Sequence, residues 1–306
     1  MTSRAGSFAL YASLRSFLGI GGKLPLTLSR PIGGALGRTA LALLPKDRGR
    51  IRTHLEIAFP DMDGSQRNTI ERECGRHFGL MLAEVAWLWH AKPQELENLC
   101  TLEGTENFFD ALEDGRGVIF VTGHCGTWEI LSARLPIAGV PLTTAARRLD
   151  DPRLDRLVTS LRTRFGTEII LRGPSAGKQM VRALAKNRVA ALLIDQDIRG
   201  IPGVFVPFFG RPAWTPSGGA MLAIRRGCPI VPGFIHRRAD GTHKAEIHPP
   251  LPIPVGGSLD DRVEELTSAA TAVIERQIRA HPEQWVWMHR RWRTQPEARE
   301  PVPAPE

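Results

Sequence analysis

The segment that decides the fold of this chain reads Val118-Ile119-Phe120-Val121-Thr122-Gly123-His124-Cys125-Gly126-Thr127-Trp128-Glu129-Ile130. Its apolar start is bounded by glycines on both sides, which predicts a short buried strand. A helical pattern begins behind it, with Trp128, Leu131 and Leu135 at three- and four-residue spacing. His124 therefore falls at the carboxyl end of a central strand, where open α/β sheets place their chemistry.

His124 and Glu129 are candidates for a catalytic pair. Residues five apart on a regular helix point about 140° away from each other, so the pair requires His124 on the turn and Glu129 in the first helical turn. The carboxylate would then hold one imidazole nitrogen while the other faces a substrate. The alternatives are a structural histidine and a glutamate that complements the helix dipole.

Other chemistry is less well supported in this segment. A zinc-binding helix requires a second histidine four residues away, and none lies nearby. Cys125 does not stand in a nucleophile-elbow motif, so we interpret it as a small apolar residue.

The composition limits the class of protein. With 306 residues, of which 42% are hydrophobic, the chain predicts one large α/β domain, or such a domain with a helical arm. The net charge of +8 and the pI near 9.9 predict an anionic partner, which can be a nucleic acid, an acidic membrane face, or an acidic protein or phosphorylated substrate. Four cysteines without paired spacing favour a reducing, cytoplasmic setting, and no cleavable signal peptide is evident.

Residues 1–44 differ from the rest because an apolar stripe is interrupted by lysine and arginine. No run of 18 uncharged apolar residues occurs there, which disfavours a spanning helix. Two interpretations stay open: a basic amphipathic arm in the cytoplasmic membrane interface, or a helical hairpin packed on the core. We divide the chain into this arm (1–44), a main domain (45–295) and a disordered tail rich in proline and glutamate (296–306).

Strand and helix patterns alternate through the middle of the chain. Strands are predicted at 118–121, 142–146, 168–171 and 189–194, with a helix after each of the first three. This spacing indicates βαβ units, and therefore an α/β fold with a mostly parallel central sheet flanked by helices. His124, Arg147 and Asp195 each follow one of these strands, so we expect them at one edge of the sheet.

Two further segments allow more than one interpretation. The apolar run 204–210 contains Pro207, which disfavours a central strand. It could line a groove for a hydrocarbon chain or cap an edge of the core. Residues 283–292 interleave tryptophan with basic residues, a pattern typical of nucleic-acid platforms and also of membrane-interface patches.

Several blocks in order resemble the lipid A biosynthesis acyltransferases of the lysophospholipid acyltransferase superfamily. Gly123 to Glu129 is similar to their Gly-His-x-Gly-Asn-Trp-Glu block. The likeness extends over about residues 51–295. Its other blocks are Arg147 with Asp151-Pro152, Asp195-Gln196, the run Val204 to Gly210 with Thr215 and Gly218, and Pro282 to Trp292.

The resemblance implies an enzyme at the cytoplasmic face of the inner membrane. It would move an acyl chain from acyl carrier protein or acyl-CoA to a hydroxyl of a lipid acceptor, most simply a lipid A precursor. It would need neither metal nor cofactor, because a thioester is an activated donor. The expected partners are the donor, the lipid acceptor and the anionic membrane surface. No nucleic acid is expected, since no binding motif is recognised.

The resemblance also implies roles for individual residues. His124 would be the general base, with Glu129 fixing its tautomer. Arg147 and Arg164 would hold anionic groups of the acceptor, and Asp195 and Gln196 would orient it. The chain departs from the family at Thr127, where asparagine is usual, in the pocket beside the base, and we expect Thr127 to contact the substrate there. It also lacks the Phe-Pro-Glu-Gly-Thr block of glycerol-phosphate acyltransferases. An acyltransferase for another glycolipid or an aminolipid, or a thioester hydrolase, remains an alternative.

Overall fold

The computed structural model of the chain describes residues 4–296, and for residues 4–7, 9 and 10 it describes the backbone alone. The tail predicted to be disordered lies outside this range except for Pro296. The helices are α1 (Arg4–Gly19), α2 (Leu26–Ala42), α3 (Pro45–Ala58), α4 (Gly64–Leu88), α5 (Pro93–Leu99), α6 (Glu106–Glu113), α7 (Trp128–Ile137), α8 (Pro152–Thr163), α9 (Ala176–Ala185), α10 (Gly218–Arg226) and α11 (Leu259–Ala280). The strands are β1 (Cys100–Glu103), β2 (Val118–Thr122), β3 (Leu142–Ala146), β4 (Glu168–Leu171), β5 (Val189–Leu193), β6 (Gly203–Phe208), β7 (Arg211–Pro216), β8 (Ile230–Arg237) and β9 (His243–Ile247).

The central sheet has the strand order β1-β9-β8-β2-β5-β3-β4. Strands β8, β2, β5, β3 and β4 are parallel, whereas β9 pairs antiparallel to β8 and carries β1 beside it. Helices cover both faces, so the prediction of an α/β fold with a mostly parallel sheet is confirmed.

The register between β2 and β5 positions the candidate site. Thr122 on β2 pairs with Leu193 on β5. His124 and Asp195 each follow two residues later, and they therefore come side by side at the carboxyl edge of the sheet.

Strand β2 is buried on both faces, as expected for a central parallel strand. Ile119 and Val121 face one apolar core, which includes Ala220 of α10 and Leu266 of α11. Val118 and Phe120 face a second core, which includes side chains of α6 and α7. Burial of each such side chain contributes about 1.5–3 kcal/mol to folding, which fixes the strand and the turn behind it.

The apolar run 204–210 belongs to an antiparallel hairpin of β6 and β7, outside the main sheet. Phe208 and Phe209 are buried in the core shared with α11, and Phe208 packs against Trp285 and Trp292. These contacts favour the core-edge interpretation of this run over a hydrocarbon groove.

The N-terminal helix α2 packs closely on α4. A Cβ atom added at Gly37 would overlap the carbonyl oxygen of Gly75, and one added at Gly79 would overlap that of Gly33. These glycines therefore let the two helices approach closely. Helix α2 is therefore packed on α4, while its outer face exposes leucine and isoleucine. Within residues 4–296, no helix combines the length and the apolar character needed to cross a bilayer.

Candidate active site

His124 and Asp195 form a hydrogen-bonded pair at the carboxyl edge of the sheet. His124 Nδ1 lies 2.8 Å from Asp195 Oδ1. Asp195 Oδ2 accepts two more hydrogen bonds of 2.8 Å, from the backbone N–H of His124 and from the indole N–H of Trp285. The Asp195 side chain is 1% exposed and that of His124 is 20% exposed. Among the described residues, His124 Nε2 has no hydrogen-bond partner, so it is available to a substrate.

The backbone around His124 is held by its neighbours. A Cβ atom added at Gly123 would lie 3.3 Å from Asp195 Cγ, so glycine allows the close approach of that carboxylate. Gly126 adopts φ of +57° and donates its N–H to the Gln284 carbonyl at 2.8 Å. Trp128 packs edge-on against the imidazole, with ring centroids 4.9 Å apart. The histidine ring therefore has little freedom to turn away from Asp195.

Asp195 is ionised in the folded protein. Burial raises the pKa of its carboxyl group, but the charge of His124 and the three donated hydrogen bonds outweigh burial and lower the pKa to about 2. A carboxylate in this state accepts the Nδ1–H of a neutral imidazole and leaves Nε2 as the basic nitrogen.

We expect the Asp195 carboxylate to stabilise the fold at neutral pH and to lose this effect in acid. Its pKa is about 2 when folded and 3.8 as an ordinary value, so the unfolded chain binds the proton more readily. Its contribution, on the order of 2 kcal/mol, is fully present above the ordinary pKa and is lost as the pH falls through the folded one. Urea unfolding of the wild type and Asp195→Asn tests this: the difference in unfolding free energy should shrink between about pH 4 and about pH 2. A difference that stays constant down to the lower pH would contradict the prediction.

The predicted contact between Glu129 and His124 is absent from the structure. Glu129 lies in the first turn of α7, as expected, but it faces α8, where Arg162 Nε donates to its two oxygens at 3.0 and 3.1 Å. Asp195 occupies the place beside His124 Nδ1 instead. The register of β2 and β5 brings that carboxylate in from a strand far away in sequence, which local spacing around His124 does not reveal.

The Thr127 side chain is enclosed by the protein. It is fully buried, donates to Glu84 Oε2 at 2.5 Å and accepts from Arg237 Nη2 at 3.0 Å. The prediction that Thr127 touches substrate is therefore corrected, because its hydroxyl is hydrogen-bonded to Glu84 and Arg237 inside the protein.

The two arginines predicted to bind the acceptor have different surroundings. Arg147 follows β3 at the same edge as His124, is 71% exposed and lies 3.6 Å from Asp150. Arg164 follows α8; its Nη1 donates to the Leu88 carbonyl at 2.7 Å, and its guanidinium lies 4.7 Å from the Phe165 ring centroid. Arg164 is therefore hydrogen-bonded to the end of α4. Gln196 is half-buried directly after Asp195, at the site edge.

The C-terminal segment supplies residues that the sequence did not suggest for the site. Trp285 pairs with Cys125 across an antiparallel bridge and donates to Asp195. His289 lies near the same carboxylate: burial lowers its pKa, and the charge of Asp195 opposes this. Trp287 and Arg291 are buried, and Arg291 donates to the Trp214 carbonyl at 2.6 Å. The sequence of segment 283–292 suggests a nucleic-acid platform or a membrane-interface patch. Both interpretations are wrong for Trp285, Trp287 and Arg291, because a binding surface must be exposed.

Glu84 of α4 is the centre of a buried ionic cluster behind the loop that carries His124. Arg237 donates to its two oxygens at 2.7 Å each, and Arg30 Nε donates at 2.8 Å. His243 Nε2 lies 3.2 Å from Oε1, and Thr127 completes the cluster. Burial raises the pKa of Glu84, but the cations around it hold that pKa well below its ordinary value. A charged carboxylate therefore ties α2, α4, β8 and the active-site loop together.

The cysteine beside His124 is buried. Burial, with a smaller effect of the Asp195 charge, raises the pKa of Cys125 well above its ordinary value, so the thiol stays protonated. Over the described part of the chain, no group of three or more histidine, cysteine, aspartate or glutamate residues is arranged to hold a metal ion.

Comparison with known proteins places the chain among acyl-transferring enzymes. The family model described as bacterial lipid A biosynthesis acyltransferase matches residues 4–294. A lipid A biosynthesis lauroyltransferase of Escherichia coli K12 is 31% identical over 90% of this chain and 88% of its own length. A lipid A biosynthesis acyltransferase of Haemophilus influenzae is 27% identical over 91% of this chain and 88% of its own. A phosphatidylinositol mannoside acyltransferase of Mycolicibacterium smegmatis is 28% identical over 61% of this chain and 60% of its own.

Proposed function

Because the chain belongs to the bacterial lipid A biosynthesis acyltransferases, we propose that it moves a fatty acyl group from a thioester donor to a hydroxyl of a lipid A precursor. The observation that carries this proposal is the pair His124–Asp195 at the carboxyl edge of the sheet, in which no described residue is hydrogen-bonded to His124 Nε2. We propose acyl carrier protein or coenzyme A as the thiol of the donor.

In the proposed mechanism His124 acts as general base. Its Nε2 takes the proton from the acceptor hydroxyl while that oxygen attacks the thioester carbonyl. Asp195 holds the Nδ1–H and stabilises the imidazolium that forms. When the tetrahedral intermediate collapses, the carbon–sulfur bond breaks, the leaving thiolate takes the proton back from Nε2, and the acyl ester is released.

We propose direct transfer, with no acyl group carried on the protein. A cysteine nucleophile acts as a thiolate, and the buried Cys125 thiol remains protonated. The acceptor hydroxyl itself is then the only nucleophile that the mechanism needs.

Mass spectrometry of the products tests the proposed function. Purified protein would be incubated with acyl-acyl carrier protein or acyl-CoA and either a lipid A precursor or a phosphatidylinositol mannoside. An added acyl ester on the lipid A precursor is the expected product. Acylation of the mannoside alone would favour the second candidate, for which the mycobacterial relative is the motivation. Release of free fatty acid without a lipid product would identify a thioester hydrolase.

Arg147 is proposed to bind an anionic group of the acceptor. Arg172, which follows the neighbouring strand β4, is close enough that burial and then the Arg147 charge lower its pKa. Two cations at adjacent strand ends favour a phosphate or carboxylate between them and the base.

Arg147→Ala is expected to lower kcat/KM for the acceptor by about 10²-fold, because a charge-assisted hydrogen bond to a desolvated anion is lost. Steady-state kinetics with varied acceptor and varied donor provide the measurement. Arg182→Ala, an exposed arginine on α9, is the matched control and should leave both substrates unaffected. A loss confined to donor kinetics would reassign Arg147 to donor binding.

We further propose that α2 attaches the protein to the membrane interface on the cytoplasmic face of the inner membrane. Leu28, Ile32 and Leu36 recur every four residues on its outer face and are 57%, 55% and 64% exposed. Such an unpartnered apolar stripe on a basic helix is typical of interfacial attachment.

Replacing Leu28, Ile32 and Leu36 with glutamine is expected to weaken partition into phospholipid vesicles by about tenfold or more, because apolar area no longer enters the bilayer. Vesicle sedimentation provides the measurement. Phe109→Gln with Val255→Gln, which changes exposed apolar residues elsewhere, is the control. Deleting residues 1–44 is a poorer test, since it also removes Arg30 from Glu84. Equal partition of the wild type and the α2 variant would refute the attachment.

A further inference from the structure

A basic cleft of about 1090 Å³ lies between α2, α4 and the turn that joins β8 to β9. Arg30 and Arg38 line it from α2, Arg76 from α4, and Arg237 and Arg238 from the end of β8. We call it the α2–α4 cleft. None of its lining residues belongs to the His124–Asp195 pair, so it lies outside the candidate active site.

Positive charge is in excess within the α2–α4 cleft. Its lining holds five arginines and three carboxylates, and one of these carboxylates, Glu73, is shared by Arg38 at 2.6 Å and Arg76 at 3.5 Å. Glu84, directly behind the lining, pairs with Arg30 and Arg237, so the arginines still outnumber the carboxylates by one. Arg30 gives Nε to Glu84, while its Nη2 is buried without a hydrogen-bond partner among the described residues. The side chain of Arg238 makes no hydrogen bond to the described part of the chain. These guanidinium groups have donors left for an anion.

The mouth of the α2–α4 cleft adjoins the apolar outer face of α2. Leu26, Pro31 and Ala35 line the cleft, and Leu28, Ile32 and Leu36 expose the adjacent stripe of the same helix. A ligand that fits both surfaces has an anionic head for the arginines and hydrocarbon chains for the stripe. A soluble nucleotide or acidic peptide would leave the stripe uncovered.

The floor of the α2–α4 cleft is linked to the active-site loop. His77 lines the cleft and its Nε2 lies 3.4 Å from the Gly126 carbonyl. Arg30 reaches Thr127 through Glu84. Two residues that line the cleft, His77 and Arg30, are therefore linked to the active-site loop, directly and through Glu84, although the cleft lies outside the reacting site.

From these observations we propose that the α2–α4 cleft binds the phosphate of an anionic phospholipid of the membrane, whose acyl chains lie along α2. This lipid is a bound membrane component and not the acceptor. The proposal does not rest on the acyl-transfer reaction, because it concerns binding alone.

Vesicle partition of the full-length protein tests the proposal. The cleft variant is Arg76→Gln with Arg238→Gln, and the control is Arg182→Gln with Lys186→Gln, which removes the same charge from exposed positions on α9 and at the residue that follows it. Vesicles of phosphatidylcholine alone are compared with vesicles that also contain phosphatidylglycerol, at physiological salt. The assay contains no acyl donor, so its outcome is independent of the acyl-transfer assay.

The cleft variant is expected to partition about 30-fold more weakly into the phosphatidylglycerol vesicles, with unchanged partition into phosphatidylcholine. The control should stay within about threefold of the wild type, because scattered surface charge is screened. If the double cleft variant fails to fold, Arg238→Gln alone breaks no hydrogen bond and should weaken partition about fivefold.

Two outcomes would overturn the proposal. Equal losses in the cleft variant and the control would mean that net charge, and not the cleft, attracts the protein. Loss of inorganic phosphate binding in the cleft variant, with unchanged partition into the phosphatidylglycerol vesicles, would mean that the cleft takes a free phosphate and not a lipid headgroup.

Discussion

Asp195→Asn is expected to slow acyl transfer by about 10²- to 10⁴-fold, with little change in KM. We expect a loss of the same size from His124→Ala. Asparagine keeps the shape of the side chain, but it removes the charge that stabilises the imidazolium. Its amide can also donate to Nδ1, which would place the proton of His124 on Nε2 and block the base. Single-turnover rates with a thioester donor provide the measurement.

The double variant His124→Ala/Asp195→Asn should be no slower than either single variant, because residues that act as a unit are strongly non-additive. Glu129→Gln is the informative comparison. Glu129 faces Arg162, so its loss should cost far less than that of Asp195. A reversed order, with Glu129→Gln slower than Asp195→Asn, would restore Glu129 as the partner of His124 and refute the mechanism proposed here.

The strands around the site could be predicted from sequence because their signals are local. The bounds predicted for β3 and β4 agree with the structure, and those of β2 and β5 differ by one residue at the carboxyl end. Apolar runs of four to six residues between turns are short-range patterns. The same patterns place His124, Arg147 and Asp195 at one edge, since all follow parallel strands.

The partner of His124 could not be chosen in the same way. The order β2-β5-β3 inserts a strand from later in the chain between two earlier ones, and the resulting contact joins residues 71 positions apart. Spacing within one segment points only to Glu129. It contains no information about a carboxylate that the sheet topology brings next to His124. The signal for Asp195 was its place at a strand end.

The tryptophan and arginine residues near the C-terminus show a second limit. Basic residues alternating with tryptophan suggest an exposed surface, because buried arginine is rare. Here Arg291 is buried because the Trp214 carbonyl and the Thr215 hydroxyl accept its hydrogen bonds, at 2.6 Å each. Both acceptors lie on β7, remote in sequence, so composition alone could not reveal that the arginine would be satisfied inside the protein.

The cluster around Glu84 leads to the largest stability effect that we expect. Glu84→Gln should lower the free energy of unfolding by about 3–5 kcal/mol, because Arg237 and Arg30 would share a buried site without their anion. Glu73→Gln is the matched control on the same helix. Its ion pairs with Arg38 and Arg76 are partly exposed, so its loss should cost about 1 kcal/mol or less. Urea unfolding followed by tryptophan fluorescence provides the measurement.

Thr127→Val extends the test to the active-site loop if Glu84→Gln is too unstable to purify. Valine fills the same volume but loses the hydroxyl that donates to Glu84, which should cost about 1.5–3 kcal/mol of unfolding free energy. Because the Thr127 side chain is fully buried, KM for the acceptor should stay unchanged. A variant with normal stability and a raised acceptor KM would instead return Thr127 to the substrate site, and equal stabilities of Glu84→Gln and Glu73→Gln would show that the buried cluster does not hold the loop.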